Sequence, residues 1–429
     1  MQLAFIPLAV GCAVIALKDG LLCGVFSQPV PRLLRLAIGC WTVALSNAVL
    51  AHFCAHSVGN LNRLAVGCIA PFLFAIGAFI ACSVEWNPLK KEVLRYSPYL
   101  LGILGLYAIS VIMECFLSDY SKTNLLGPLP PYRPWIRTMD DSGFRMLCGW
   151  FRSPDIAGWW LAVDAACLLL FASTTTSVRM RWTWGSMACL VMCALLLTGR
   201  RKMQVAWAIF IGIVILAQLI LKPGRDAIRT LGLAGIASFV AWSAVILLSE
   251  NRFYTEYAAS SAMHGRARLI RETLSPILSL ADDRTWCGIG LGAMAPGTQH
   301  AGLGLKRYSE GGFVRVLVES GILGLGLFAL GIGSYVFVII QKLIFKLNHP
   351  DWIAGVVFLG FVVGNVFAFS IGHQAFGDPL VAFTCGVVFG ASIAWIRQSP
   401  DTVGQMNENG VQQKNGSRIP KMQGPLHHA

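Results

Sequence analysis

The chain has 429 residues, of which 55% are hydrophobic and only 13% charged, about half the charge of an ordinary soluble domain. No stretch before residue 397 carries enough charge to solvate an independent domain, so a soluble protein is excluded and a single membrane domain is left. The net charge of +13 comes from Lys and Arg scattered in twos and threes between apolar runs. They form no single basic face, which argues against nucleic acid as a partner and for topology signals.

A membrane-crossing helix needs roughly 20 apolar residues, because its backbone N–H and C=O groups must be satisfied within the segment. In chain order the pattern predicts spans near 3–25, 33–55, 64–83, 97–117, 157–174, 184–199, 203–221, 229–249, 312–341, 352–371 and 377–396. The fold class is all-α: a polytopic bundle of about 10–12 spans over 1–397, with a polar, disordered cytoplasmic tail over 398–429. The first run starts at Leu3 without a basic stretch ahead of it, so no cleaved signal peptide is expected, although Lys18, Asp19 and Gly20 interrupt it. The 13 cysteines read as small buried hydrophobes with no metal-ligand spacing. Cys148 and Cys287 are the exceptions, both in long loops where a disulfide could form.

Short loops rich in Lys and Arg mark the cytoplasmic side. Lys90, Lys91 and Arg95, then Arg179 and Arg181, then Lys222, Arg225 and Arg229, then Lys342 and Lys346 all fall on one side, together with Arg397 and the tail. Loops 118–156, 250–311 and 372–376 then face outward, as does the turn of Arg200, Arg201 and Lys202, whose three cations oppose the bias. The two long loops carry Trp135, Trp150, Phe151, Tyr254, Tyr257, Trp286 and Tyr308. With those anchors they are expected to build a helical cap over the outer face.

Candidate chemistry collects in these loops. Arg266, Arg268 and Arg271 present guanidinium groups suited to phosphate, which Arg grips through a planar fork; a solvated amphipathic helix is the alternative. The glycines at 288, 290 and 292 lack the strand-turn-helix context of a nucleotide loop and read as a close-packed turn. Arg315 and Glu319, four residues apart, are expected to pair along a helix. Glu310, at the mouth of a span, has no neighbour in sequence, and partial burial would shift it toward general-base use. Asp164 lies within an apolar run, where a charge costs about 2.5–3.5 kcal/mol, so it is functional or else held neutral. Glu114 is expected to reach the interface, His52 and His56 to be interfacial, and His373 and Asp378 to flank a polar turn.

Several segments, in this order, resemble the O-antigen ligase and O-antigen polymerase superfamily. They are Gly149–Asp155 (GWFRSPD), Thr198–Arg201 (TGRR), Gly265-Arg266, Gly288–Gly292 (GIGLG) and Glu319–Gly324 (ESGILG), within roughly residues 144–330. The resemblance implies a multi-pass protein of the bacterial inner membrane with its active site on the periplasmic face. It implies glycosyl transfer from an undecaprenyl-diphosphate-linked glycan with no metal, nucleotide sugar or other cofactor. Arg266, with Arg200 or Arg201, would hold the donor diphosphate, Arg268 standing beside them, and Trp135, Trp150 and Trp286 are candidates for stacking on sugars, with interfacial anchoring as the alternative for each. Ligases of the superfamily carry a His-Asn/Ser/Gln pair eleven residues before the first Gly of G-x-x-G. Glu310-Gly311 occupies that place here, which points to a polymerase of lipid-linked repeat units with Glu310 as base. The alternatives are a ligase acting on a lipid or protein acceptor and a non-enzymatic flippase. Membrane lipids and other polysaccharide assembly proteins complete the expected partners.

Overall fold

The computed structural model describes residues 30–55, 61–114, 147–248 apart from 152, 285–295 and 311–398 apart from 350, with the isolated positions Val14 and Lys18. Ten of its helices are long and apolar enough to cross a membrane. They are α1 (Arg32–Ala55), α2 (Leu61–Cys82), α3 (Trp86–Glu114), α4 (Pro154–Thr174), α5 (Val178–Leu197), α6 (Arg201–Leu221), α7 (Arg225–Leu248), α8 (Gly312–Phe345), α9 (Trp352–Ile371) and α10 (Pro379–Arg397). Each matches one expected span; the span expected near 3–25 and the tail beyond residue 398 lie outside the described residues.

The helices start and stop where local chemistry allows. Ser153 caps α4, its hydroxyl accepting from Ile156 N at 3.4 Å, and Asp378 caps α10, accepting from Leu380 N at 3.0 Å and Val381 N at 3.3 Å. Each cap is followed by a proline, which needs no N–H at the first helical position. Where the helices differ most from the hydropathy reading, they are longer. α3 begins at Trp86 and so includes Lys90, Lys91 and Arg95, and α5 begins at Val178 and includes Arg179 and Arg181. A helix can continue past the hydrocarbon boundary with charged side chains on its surface, whereas an apolar window stops at the first cation.

α4 sits at the centre, packed against α3, α5, α6 and α7. It is apolar nearly all round, the pattern of a helix enclosed by others. On one flank α1 pairs with α8 and α2 with α10. The α2/α10 contact runs on small residues: Gly77 lies against the Phe383 carbonyl, Gly386 against the Phe74 carbonyl and Gly390 against the Ala78 carbonyl. Membrane helices gain their affinity from such close backbone approach, since lipid tails remove the hydrophobic drive.

The basic end of the bundle is stapled. Asp351 accepts from Trp86 Nε1 at 2.8 Å and pairs with Lys90, and its carbonyl accepts from Trp395 Nε1 at 3.1 Å. Lys346 donates to the Trp395 carbonyl at 2.6 Å and lies 4.8 Å from the centre of the Trp395 ring. Burial alone would raise the Asp351 carboxyl, but hydrogen bonds from Lys90 and Trp86 outweigh it and hold the group below its ordinary range. Burial pushes the Lys346 ammonium down to about 8. Five helix ends, those of α2, α3, α8, α9 and α10, meet here.

α8 is broken once. Gly321 has φ 70° and ψ −173°, a backbone state that only glycine enters without strain. The groups released by the break are taken up by residues 285–290. Ile289 N donates to Val318 O at 2.9 Å and Gly290 N to Glu319 O at 3.1 Å, while Ile322 N donates to Thr285 O at 3.0 Å and Leu323 N to Trp286 O at 3.3 Å. Asn47 Nδ2 on α1 donates to Ser320 O at 2.7 Å. Gly288 comes so close that a Cβ there would lie 2.6 Å from Gly321 N. The described part of the second long loop is therefore wedged into the bundle, with Leu291–Ala295 buried, and most of the expected cap lies outside the described residues.

If the α2/α10 seam holds the fold, Gly386→Leu should lower stability by about 1–3 kcal/mol or more. Gly102→Leu, where nothing lies within 4 Å of the added carbon, should leave it unchanged. Thermal unfolding in detergent micelles measures both, and equal melting temperatures for the two variants would contradict the seam.

Candidate functional site

The ends of the helices opposite the staple carry a second polar assembly, around the turn of Arg200, Arg201 and Lys202. α5 closes at Leu197 and the chain reverses through Thr198 and Gly199, which has φ 65°. The Arg200 amide donates to Thr198 Oγ1 at 3.3 Å, and α6 starts at Arg201. This tight reversal places Arg200 and Lys202 beside Asp155 in the first turn of α4. Arg200 Nη2 lies 3.0 Å from Asp155 Oδ2, and Lys202 Nζ lies 2.8 Å from Asp155 Oδ1. All three side chains are less than a tenth exposed. Lys202 also donates to Gln374 Oε1 at 2.8 Å, and Gly372 packs against the stem of Lys202.

The connection from α9 to α10 joins this cluster to another. Gln374 contacts Lys202, and its neighbour His373, fully buried, places Nε2 3.1 Å from Met294 O. Met294 N donates to Glu319 Oε1 at 3.0 Å, and Arg315 Nε donates to Glu319 Oε2 at 3.2 Å. Arg63 Nη2 on α2 donates to Ile289 O at 3.3 Å. Two buried groups of charge, one on α4 and α6 and one on α8, thus share a single short loop.

A third feature shapes the same end. The Glu114 carboxylate at the close of α3 accepts from Cys148 N at 2.9 Å and Gly149 N at 2.6 Å, and Ser110 Oγ accepts from Trp150 N at 3.2 Å. Glu114 is buried, its carboxylate satisfying the amides of the turn ahead of α4. His52 is likewise buried, with Gly290 packed on its backbone. Asp164, in the middle of α4, is fully buried, and neither carboxyl oxygen meets a hydrogen-bond partner among the described residues. Cys148 is buried in the turn held by Glu114, and Cys287 is exposed.

Of the expected site residues, Arg200 is buried on Asp155 and Arg201 is exposed. Trp150 is half-buried, edge-on to Tyr107 at 5.7 Å, and Trp286 is 68% exposed. Glu310, Arg266 and Arg268 lie outside the described residues, as does His56. Arg315 and Glu319 pair as their spacing suggested. The sequence reading missed Lys202 and Asp155 as partners. The available signal was a carboxylate at the start of one span facing cations at the start of another on the same side. Among the described residues no group of three His, Cys, Asp or Glu side chains gathers to hold a metal ion.

Removing one member of a buried pair strands the other, at about 3–5 kcal/mol. Glu319→Ala, which would leave both Arg315 and the Met294 amide without this acceptor, should cost that much in a thermal or denaturant unfolding series, and Arg315→Lys much less. Wild-type stability in Glu319→Ala would remove the pair from the fold's supports. No protein-family model matches the chain, and comparison with curated proteins finds no match.

Proposed function

We propose that the chain is a membrane glycosyltransferase that polymerises undecaprenyl-diphosphate-linked repeat units of a surface or secreted polysaccharide, working on the periplasmic face of a bacterial inner membrane. The observation that carries this reading is the pair of buried cations, Arg200 and Lys202, at the bundle end opposite Lys90, Lys346 and Arg397. The positive-inside bias puts the stapled end in the cytoplasm and this end outside. A phosphate-bearing lipid lying in the outer leaflet would present its charged group at the level of these helix ends.

In the proposed reaction, a hydroxyl of the acceptor repeat unit attacks the anomeric carbon of the donor. The new glycosidic C–O bond forms as the bond from that carbon to the diphosphate oxygen breaks. Glu310 takes the hydroxyl proton, and the polyprenyl diphosphate departs with the bonding electrons. Negative charge grows on the leaving oxygen, so fixed guanidinium and ammonium groups stabilise the transition state more than the bound substrate. Arg200, Lys202 and Arg266 are assigned that role, with Arg201 and Arg268 at the margin. Trp150 and Trp286 are the proposed glycan contacts.

A transporter of the same lipids is a second reading, favoured by the break in α8 at Gly321 and by Asp164 in α4, which has no hydrogen-bond partner among the described residues, since carriers use discontinuous helices and polar groups within the membrane. A ligase would share the donor site and differ in its acceptor.

Deleting the gene and analysing the lipid-linked pool separates the three. Single repeat units accumulating on the outer leaflet support the polymerase, long unligated chains a ligase, and units trapped on the inner leaflet a transporter. Complementation with Glu310→Gln should fail to restore chain length on a gel while the protein still inserts. Full-length chains from that variant would remove Glu310 as the base.

A further inference from the structure

The charges between α4 and α6 do not balance. Arg200 and Lys202, with side chains 9% and 7% exposed, converge on the single carboxylate of Asp155, leaving one positive charge in excess among the described groups. A surplus charge so far from water is costly unless something answers it. Arg200 Nε is buried and meets no acceptor among the described residues. Arg200 is also the residue before the first turn of the 21-residue α6 and offers no side-chain cap, so the positive end of that helix adds to the field. Asp155 presents two oxygens, one to each cation, which is how one edge of a phosphoryl group would lie between a guanidinium and an ammonium.

Resting on the diphosphate-donor reading above, we propose that Asp155 is an internal stand-in anion: it holds Arg200 and Lys202 together until a phosphoryl group replaces it on both cations. The excess charge and the unused Arg200 Nε suit a ligand with more oxygens and more charge than one carboxylate. A phosphoryl group can engage Nη2, Nε and the Lys202 ammonium together. Asp155 then has a second consequence. As a tethered competitor it lowers the affinity for diphosphate and speeds release of the polyprenyl diphosphate left behind after transfer. Lys202 becomes a diphosphate-binding residue in its own right, held in position by Gln374.

The test uses the full chain in detergent, titrated by calorimetry with inorganic pyrophosphate and with farnesyl diphosphate, farnesol serving as control. Wild type should bind both diphosphates, Asp155→Asn should bind them about tenfold tighter, and Lys202→Met about tenfold weaker. If Asp155→Asn does not fold, Lys202→Met decides, since it keeps the Asp155–Arg200 pair. Weaker or equal binding by a folded Asp155→Asn, or unchanged binding by Lys202→Met, overturns the stand-in role alone. Pyrophosphate binding that follows the expected order, with no binding of farnesyl diphosphate, supports the stand-in role and sinks the lipid-donor reading. No binding of either by wild type sinks both.

Discussion

The hydrocarbon core of a membrane offers no hydrogen bonds, so every polar group placed there must be answered from within the protein. Ten helices answer for their own backbones. The break at Gly321 does not, and its released groups are met by residues 285–290 and Asn47, which turns a loop into part of the core. Charged side chains obey the same constraint. They gather at the two ends of the bundle, where Asp351 with Lys90 and Asp155 with Arg200 and Lys202 occupy opposite faces.

The two ends differ in how their charges are held. At the staple, Asp351 is enclosed by Lys90 and Trp86, and Lys346 is answered by a carbonyl and an aromatic ring. These contacts join five helix ends. At the other end two buried cations share one carboxylate, and a buried guanidinium nitrogen lacks an acceptor among the described residues. A site that only held helices together would be better served by a matched pair. The proposed anion site between α4 and α6 rests on this sharing of one carboxylate, one oxygen each, by two buried cations.

Hydropathy made the number and order of the described spans legible, because a run of apolar residues has few other uses at that length. Helix ends were less legible: Lys90 and Arg179 stopped the apolar window but not the helix. The Arg315–Glu319 pair was readable from its four-residue spacing, since both partners lie on one helix. Asp155 and Lys202 are separated by 47 positions in the chain, and only the packing of α4 on α6 brings them together. The burial of Glu114 and His52 was illegible for a related reason. A polar residue near a span end can face water or a neighbouring turn, and the choice depends on residues 147–150 for one and 290 for the other.

A cryo-electron microscopy structure of the full chain in a lipid nanodisc with an undecaprenyl-diphosphate-linked glycan tests the anion site most directly. The diphosphate should lie within hydrogen-bonding distance of Arg200 and Lys202, between the first turns of α4 and α6, with Glu310 on the same side of the bilayer. Diphosphate density beside Lys90 and Lys346, or Glu310 on the face opposite Arg200, would contradict it.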